Sequence, residues 1–216
     1  MAADAQSDGA QVVEDEAEMI EALDRLGFER DRIEKVWELE LSKHGERLVA
    51  EAHAARARAQ GEGLEMLTLA DWNDPDSLRK VHALVELTRR DVPTSYPIPP
   101  QPYENFVERM NTPDRRKDRV WVANDAGNPV AFSFLRFPPV RGQVWTGYTC
   151  THPDYRGRGL ARGVKLQTLA QAARLGIPSV LTDNDSENAP MPHINETLGY
   201  DSRRGFVSFI KRVKSN

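Results

Sequence analysis

Apolar residues recur at helical spacing near the start of the chain. Ala17, Ile20, Leu23 and Leu26 fall on one face of a helix over Glu14–Leu26, and Gly27 follows as a stop. Ahead of it, residues 1–13 are small and polar without a period, which predicts a disordered tail. Val36 to Leu41 alternates apolar and polar positions and predicts a strand. Lys43 to Gln60 is rich in Ala, Glu and Arg, strong helix formers, and ends at Gly61-Glu62-Gly63. That glycine pair divides a helix–strand–helix extension, residues 14–63, from a main domain over residues 64–216.

In the main domain, Leu64–Leu69 reads as a strand. Asp76-Ser77 precedes a helix with Leu78, Val81, Leu84 and Val85 on one face. The prolines between Pro93 and Pro102 force a loop, and Tyr103–Met110 is a short helix. Strands at Arg119–Ala123 and Val130–Phe137 flank the turn Asp125-Ala126-Gly127-Asn128, and a third runs over Gln143–Thr151. A long helix from Leu160 stops at Gly176, and a short strand follows at Ser179–Thr182. A helix over Met191–Leu198 stops at Gly199, and Gly205–Arg212 is the last strand. This order predicts an α/β (α+β) fold: a mixed central sheet with helices on both faces, preceded by the extension.

Composition narrows the function. With 39% apolar and 29% charged residues among 216, the chain reads as a water-soluble globular protein. No apolar run approaches the roughly 18 residues of a spanning helix, so no membrane partner is expected. The opening MAADAQSDGA lacks the basic start and apolar stretch of a secretory leader. Cys150 is the single cysteine, which excludes an internal disulfide and fits a cytoplasmic location. A net charge of −4 argues against a nucleic-acid partner, and Arg115-Arg116-Lys117 reads as a solvated loop.

Candidate chemistry concentrates in Thr149-Cys150-Thr151-His152-Pro153-Asp154-Tyr155-Arg156-Gly157-Arg158-Gly159-Leu160-Ala161. A strand enters a proline turn, and a glycine-rich loop opens directly into a helix. N–H groups at a helix start lack intrahelical acceptors, and the helix dipole favours negative charge there. Gly157 and Gly159 carry no Cβ, so a diphosphate can approach the backbone, and Arg156 and Arg158 add positive charge. A dinucleotide-binding loop is a competing reading. It fails because Arg162 stands where the third glycine of G-x-G-x-x-G belongs.

These residues resemble the signature of the GNAT N-acetyltransferase family, Arg/Gln-x-x-Gly-x-Gly/Ala, met here by Arg156, Gly159 and Ala161. A second segment, Asn188 followed by Asn195-Glu196-Thr197-Leu198-Gly199-Tyr200, is similar to the family's Asn-x6-Tyr-x3-Gly-Phe stretch. The resemblance covers roughly residues 64–212 and implies an enzyme that moves an acetyl group from acetyl-coenzyme A to a primary amine by direct attack. Backbone groups of Thr149, Cys150 and Thr151 would pair with the pantetheine arm. Amides of Gly157, Arg158, Gly159, Leu160, Ala161 and Arg162 would hold the pyrophosphate, and Asn188 would bond the pantetheine arm or its loop. Asp183 matches a place where some members carry a basic carboxylate; a turn or cap residue is the other reading of it. Acetyl-coenzyme A would be the acyl donor, with no metal. A small amine or peptide amine would be the acceptor, and a homodimer is one open arrangement.

One departure stands out. Where many members carry a tyrosine that protonates the departing thiolate, this chain has Asn195, which donates a hydrogen bond but cannot serve as an acid. That substitution leaves open a second reading, an acyl-coenzyme A-binding regulatory module of weak or no activity. Cys150 reads as a small strand residue rather than an acyl carrier. The Pro93–Pro102 loop, with Tyr96 and Tyr103, is expected to wall the acceptor pocket. Finally, Ile20–Phe28 and the strand at Trp37 echo Ile194–Tyr200 and the strand at Phe206. The extension therefore resembles the tail of a preceding, degenerate GNAT domain, and the main domain resembles the second domain of tandem-GNAT, mycothiol synthase-like proteins. On that resemblance the extension is structural, and its strand pairs with a main-domain edge or a partner chain.

Overall fold

A computed structural model describes residues 7–92, 99–186, 188 and 190–212. In chain order the elements are β1 (Ser7–Val13), α1 (Ala17–Arg25), β2 (Glu29–Glu40), α2 (Leu41–Gly61), β3 (Glu65–Thr68) and α3 (Ser77–Arg89). There follow α4 (Tyr103–Met110), β4 (Val120–Asp125), β5 (Asn128–Arg136), β6 (Val144–Thr151), α5 (Leu160–Arg174), β7 (Ser179–Asp185), α6 (Pro190–Leu198) and β8 (Asp201–Arg212). Eight strands make one sheet in the order β1-β8-β2-β7-β6-β5-β4-β3. All neighbours are antiparallel except β6 and β7, which run parallel. The mixed sheet with helices on both faces is the fold class that the element order predicts.

Two apolar layers sandwich the sheet. On one face Leu48 and Ala52 of α2 pack with Leu166, Leu169 and Ala170 of α5 and with Trp37, Leu39 and Val180 of the strands. On the other, Val81, Leu84 and Val85 of α3 and Phe106 and Met110 of α4 cover Val120, Val122, Phe132 and Phe134. Sandwiched between α2 and the sheet, α5 is buried nearly all round, which explains why it shows little amphipathic period in sequence. Its Gly163 admits close packing: a Cβ there would meet Cε of Met66 at 2.6 Å.

Three expectations need correction. Residues 7–13 are not a disordered tail but β1, which pairs with β8 from Ser7↔Arg212 to Val13↔Phe206. Besides its backbone ladder, β1 is held by Val12, which is buried with Ile20 and Leu23 of α1 and Val207 and Phe209 of β8. Leu41 starts α2 rather than ending the strand, and β2 begins earlier, at Glu29. Most important, β2 is not at an edge: it lies between β7 and β8, with Trp37↔Thr182 on one side and Trp37↔Ser202 on the other. Interior placement accounts for Val36, Trp37 and Leu39 being 6% exposed or less. The sheet thus takes strands from both sides of Gly61–Gly63.

The echo runs further than the sequence indicates. β1-α1-β2 and β7-α6-β8 are both strand–helix–strand units, and in the order β1-β8-β2-β7 each unit's second strand lies beside the other's first. Their helices end alike. Phe28 N–H donates to the Leu23 carbonyl and Gly27 N–H to Asp24, as Tyr200 donates to Asn195 and Gly199 to Glu196. Among the described residues, no helix is long and apolar enough to cross a membrane.

Candidate active site

The parallel pair β6–β7 holds together only at Val144↔Val180 and Trp145↔Leu181, and beyond those pairs the strands part. A bulge on β6 drives the parting. Phe134 pairs with Tyr148 but Leu135 pairs with Thr146, leaving Gly147 as the extra residue. A Cβ on Gly147 would fall inside the Phe134 ring, so the bend requires glycine. The gap opens into a cleft of about 1540 Å³ lined by β6 from Thr146 to Thr151, by β7 from Thr182 to Asp185, and by the start of α5. On this side, residues 146–151 of β6 lack a neighbouring strand, so an extended ligand meets unpaired backbone groups.

At one end the cleft meets the loop before α5. A single 3-10 turn at Pro153–Tyr155, capped by the His152 ring accepting from Asp154 N–H, turns the chain out of β6. The Tyr155 hydroxyl donates to Asp125 and pins that turn to the β4–β5 hairpin. Gly157 and Gly159 then take φ of +76° and +75°, and a Cβ at either would meet open space. Their presence is demanded by backbone conformation, and the space beside them is free for a ligand. At the start of α5, Leu160, Ala161 and Arg162 line the cleft, and the N–H groups there lack intrahelical acceptors. Arg156 and Arg162 line this end, held by Asp91 and Glu51 respectively.

The opposite wall is acidic. Directly paired residues share a face, so Glu34↔Asp185 and Val36↔Asp183 put Glu34, Asp183 and Asp185 together on one face of the sheet. Asp31 and Arg32 of β2 also line the cleft, and Arg32 donates to Asp185 at 2.6 Å. Burial first, and then the charges of Asp183 and Asp185, hold the Glu34 carboxyl above its ordinary range, although Gln11 donates to it. Thr182 and Asn184 alternate with these acids and face α5 and α6 instead.

The Acetyltransferase (GNAT) family model matches residues 81–200, more than half of the chain. This chain belongs to the GNAT acetyltransferase family. No curated protein matches it in sequence. A GCN5-related N-acetyltransferase from Sphaerobacter thermophilus is similar in structure, with a TM-score of 0.75 at 16% identity over 100% of this chain and 62% of that one. A tandem GNAT protein from the clavulanic acid biosynthesis pathway gives a TM-score of 0.69 at 18% identity, over 97% of this chain and 65% of that one. A glucosamine N-acetyltransferase region of a fungal multi-domain beta-N-acetylglucosaminidase gives 0.64 at 13% identity, over 93% and 24%. At such identities the likeness is one of fold, and this chain spans less than two thirds of the first two proteins.

Within this GNAT fold the sequence-derived residues largely converge. Thr149, Cys150, Thr151, Arg156, Gly157, Gly159, Leu160, Ala161, Arg162, Asp183 and Asn188 all line the one cleft. Two expected residues do not. Arg158 turns away, stacks over Tyr155 at 5.2 Å and pairs with Glu62 at 2.7 Å. Asn195 is 0% exposed: it faces the core from α6, accepting from Lys165 and donating to Asn184. Its amide is therefore spent inside the protein and cannot touch a thioester. Tyr103 packs against α3, with Arg79 over its ring at 4.3 Å, and is no cleft wall. Tyr96 lies outside the described residues. Burial pushes the Cys150 thiol up to about 12, so it stays protonated and is a poor acyl carrier.

The sequence reading missed Glu34, Tyr148 and Asn184. Glu34 carries no motif, and only knowing that β2 enters the sheet beside β7 brings it to the cleft. Tyr148 adjoins the Thr149–Thr151 segment already singled out. Its hydroxyl lies 3.3 Å from that of Thr88, and burial raises it to about 12, so it holds its proton.

Proposed function

We propose that this chain transfers an acetyl group from acetyl-coenzyme A to a cationic primary amine by direct attack on the thioester. One observation carries the reading: a single cleft joins the glycine loop at α5 to the carboxylates of Glu34 and Asp183 through the gap between β6 and β7. The amides of Gly157 to Arg162 hold the diphosphate, and the pantetheine arm lies along Thr149–Thr151 with Asn188 beside it. Amines are protonated near neutral pH, so the acidic face both attracts the acceptor and takes its proton, with Asp183 as base. The neutral amine attacks the thioester carbon, β6 N–H groups stabilise the oxyanion, and the C–S bond breaks. The thiolate then takes a proton from water, while Tyr148, which keeps its own proton, can donate a hydrogen bond to the sulfur. The extension, residues 14–63, with β1 ahead of it, is the remnant of a preceding degenerate GNAT domain, and β2 supplies the acceptor side rather than a structural strand alone.

The reading is tested at Gly159. Gly159→Val strains a left-handed residue and puts a branched side chain against the diphosphate, so acetyl-coenzyme A affinity should fall by at least about 2 kcal/mol. Calorimetry on folded variant with wild-type affinity would refute the site. One observation favours the second reading, a binding module without turnover: the position of the family's acid is sealed in the core. Thiol release with a panel of diamines and aminosugars separates the two, since the module binds acetyl-coenzyme A yet releases no thiol.

A further inference from the structure

Among the described residues, Lys165 is the most deeply buried charged one, at 0% exposure in the middle of α5. Its Nζ donates to Asn195 Oδ1 at 2.7 Å and lies 4.9 Å from the centre of the Tyr200 ring. Asn195 Nδ2 in turn donates to Asn184 Oδ1 at 2.6 Å, and Asn184 lines the cleft. The three side chains form a line from core to cleft, and the proposed chemistry uses none of them.

The direction of that line is set at its buried end. An ammonium group has three donors and no acceptor. The atom of Asn195 that meets Lys165 must therefore be its oxygen, which turns its NH2 toward Asn184. Asn184 must answer with its own oxygen, and its NH2 is left at the cleft. Flipping either amide would set donor against donor or acceptor against acceptor in a buried place, where an unmade hydrogen bond is costly. No other hydrogen bond occupies the Asn184 NH2 among the described residues. Alternation along β7 sets this group on the α5–α6 face, the side of the coenzyme loop, while Asp183 faces the opposite side.

We infer that Lys165 and Asn195 are positioning residues that lock Asn184 with its NH2 toward the cleft, where it donates to a carbonyl oxygen of the pantetheine arm. The inference rests on the acetyl-coenzyme A reading for its ligand, but not for the polarity itself. Charged groups around Lys165 leave the direction intact. Burial lowers the Lys165 pKa to about 7, Asp183 of β7 opposes part of that fall through space, and the cation persists below about pH 7. Glu51 of α2 is taken by Arg47 and Arg162. Holding a buried cation is expensive, and an apolar residue would fill the same space. While Lys165 carries its proton, below about pH 7, the cation provides a donor that cannot reverse.

Asn195→Asp tests this with almost no change of shape. The carboxylate pairs with Lys165 but only accepts, so Asn184 must turn its NH2 inward and present oxygen to the cleft. Side-chain amide exchange by NMR below about pH 7, where Lys165 is charged, reads the polarity without any ligand. In the wild type the Asn195 NH2 should be protected and the Asn184 NH2 exchanged by solvent; in Asn195→Asp the Asn184 NH2 should become protected. A protected Asn184 NH2 in the wild type overturns the inference. Calorimetry then reads the ligand. Asn195→Asp and Asn184→Ala should each weaken acetyl-coenzyme A binding about tenfold, with no further loss when combined and no fall in melting temperature for Asn195→Asp. Unchanged affinity in a folded Asn195→Asp protein overturns the inference while leaving the function standing. A wild type that shows the predicted exchange but binds no acetyl-coenzyme A supports the polarity and overturns the function.

Discussion

Asp183 and Glu34 share the acidic face but differ in their surroundings. Asp183 is exposed to the cleft, whereas Glu34 lies deeper and is held above its ordinary range by burial and by its carboxylate neighbours. Asp183→Asn should lower turnover about a hundredfold and flatten the acid side of the rate profile, with acetyl-coenzyme A affinity nearly unchanged. It also removes one of the charges that raise Glu34, so the Glu34 carboxyl should titrate at lower pH in the variant. Carboxyl carbon NMR checks the second point; an unmoved Glu34 would mean the two acids do not sense each other. Asp183 was open to reading from its place at the end of a predicted strand. Glu34 was not, because its meaning comes from a pairing across the sheet.

Two elements shape the cleft, and each is testable by itself. The β6 bulge exists because Gly147 lets the strand pass beneath Phe134. Gly147→Ala must push that ring aside, at a cost of about 2 kcal/mol, and should lower both the denaturation midpoint and acetyl-coenzyme A affinity. Loss of stability alone would mean that the gap survives without the bulge. The other element is β2, an interior strand whose Trp37 and Leu39 sit in the main core. Trp37→Ala should cost about 3–5 kcal/mol. Removing residues 1–40 strips β7 and β8 of their shared neighbour, so the remainder should lose its near-ultraviolet dichroism. A truncated chain that keeps its tertiary signal would show that β7 and β8 can close on each other.

For the molecule as a whole, the buried lysine sets a pH dependence of stability. Burial lowers the Lys165 pKa from its ordinary 10.5 to about 7, and Asp183 opposes only part of that fall. Between those two values the unfolded chain binds a proton that the folded chain does not. Stability therefore rises as pH increases from about 7 towards 10.5, and the folded state is least favoured by this group below 7. Urea midpoints should climb for the wild type between pH 7 and 9, relative to Lys165→Met, which has no proton to lose. Parallel slopes for the two proteins would mean that Lys165 keeps its charge through this range.

Local chemistry in the chain was enough to identify the main-domain elements, the glycine loop at Arg156–Ala161 and the family, because periodicity, turn residues and helix starts act over a few neighbours. The echo of Leu26-Gly27-Phe28 in Leu198-Gly199-Tyr200 was legible for the same reason. Tertiary structure decided the rest. It made a strand of Ser7–Val13, too short and weakly patterned to carry a signal, whose backbone completes the ladder of β8 and whose Val12 closes a cluster with Ile20, Leu23 and Phe209. It placed β2 between β7 and β8, bringing Glu34 beside Asp185 across some 150 residues of chain. It also turned Asn195 from the cleft to Lys165, since which side of α6 faces the core depends on what packs against it. A pairing between distant strands, or a hydrogen bond between buried side chains, has no period along the sequence and arises only when the core closes.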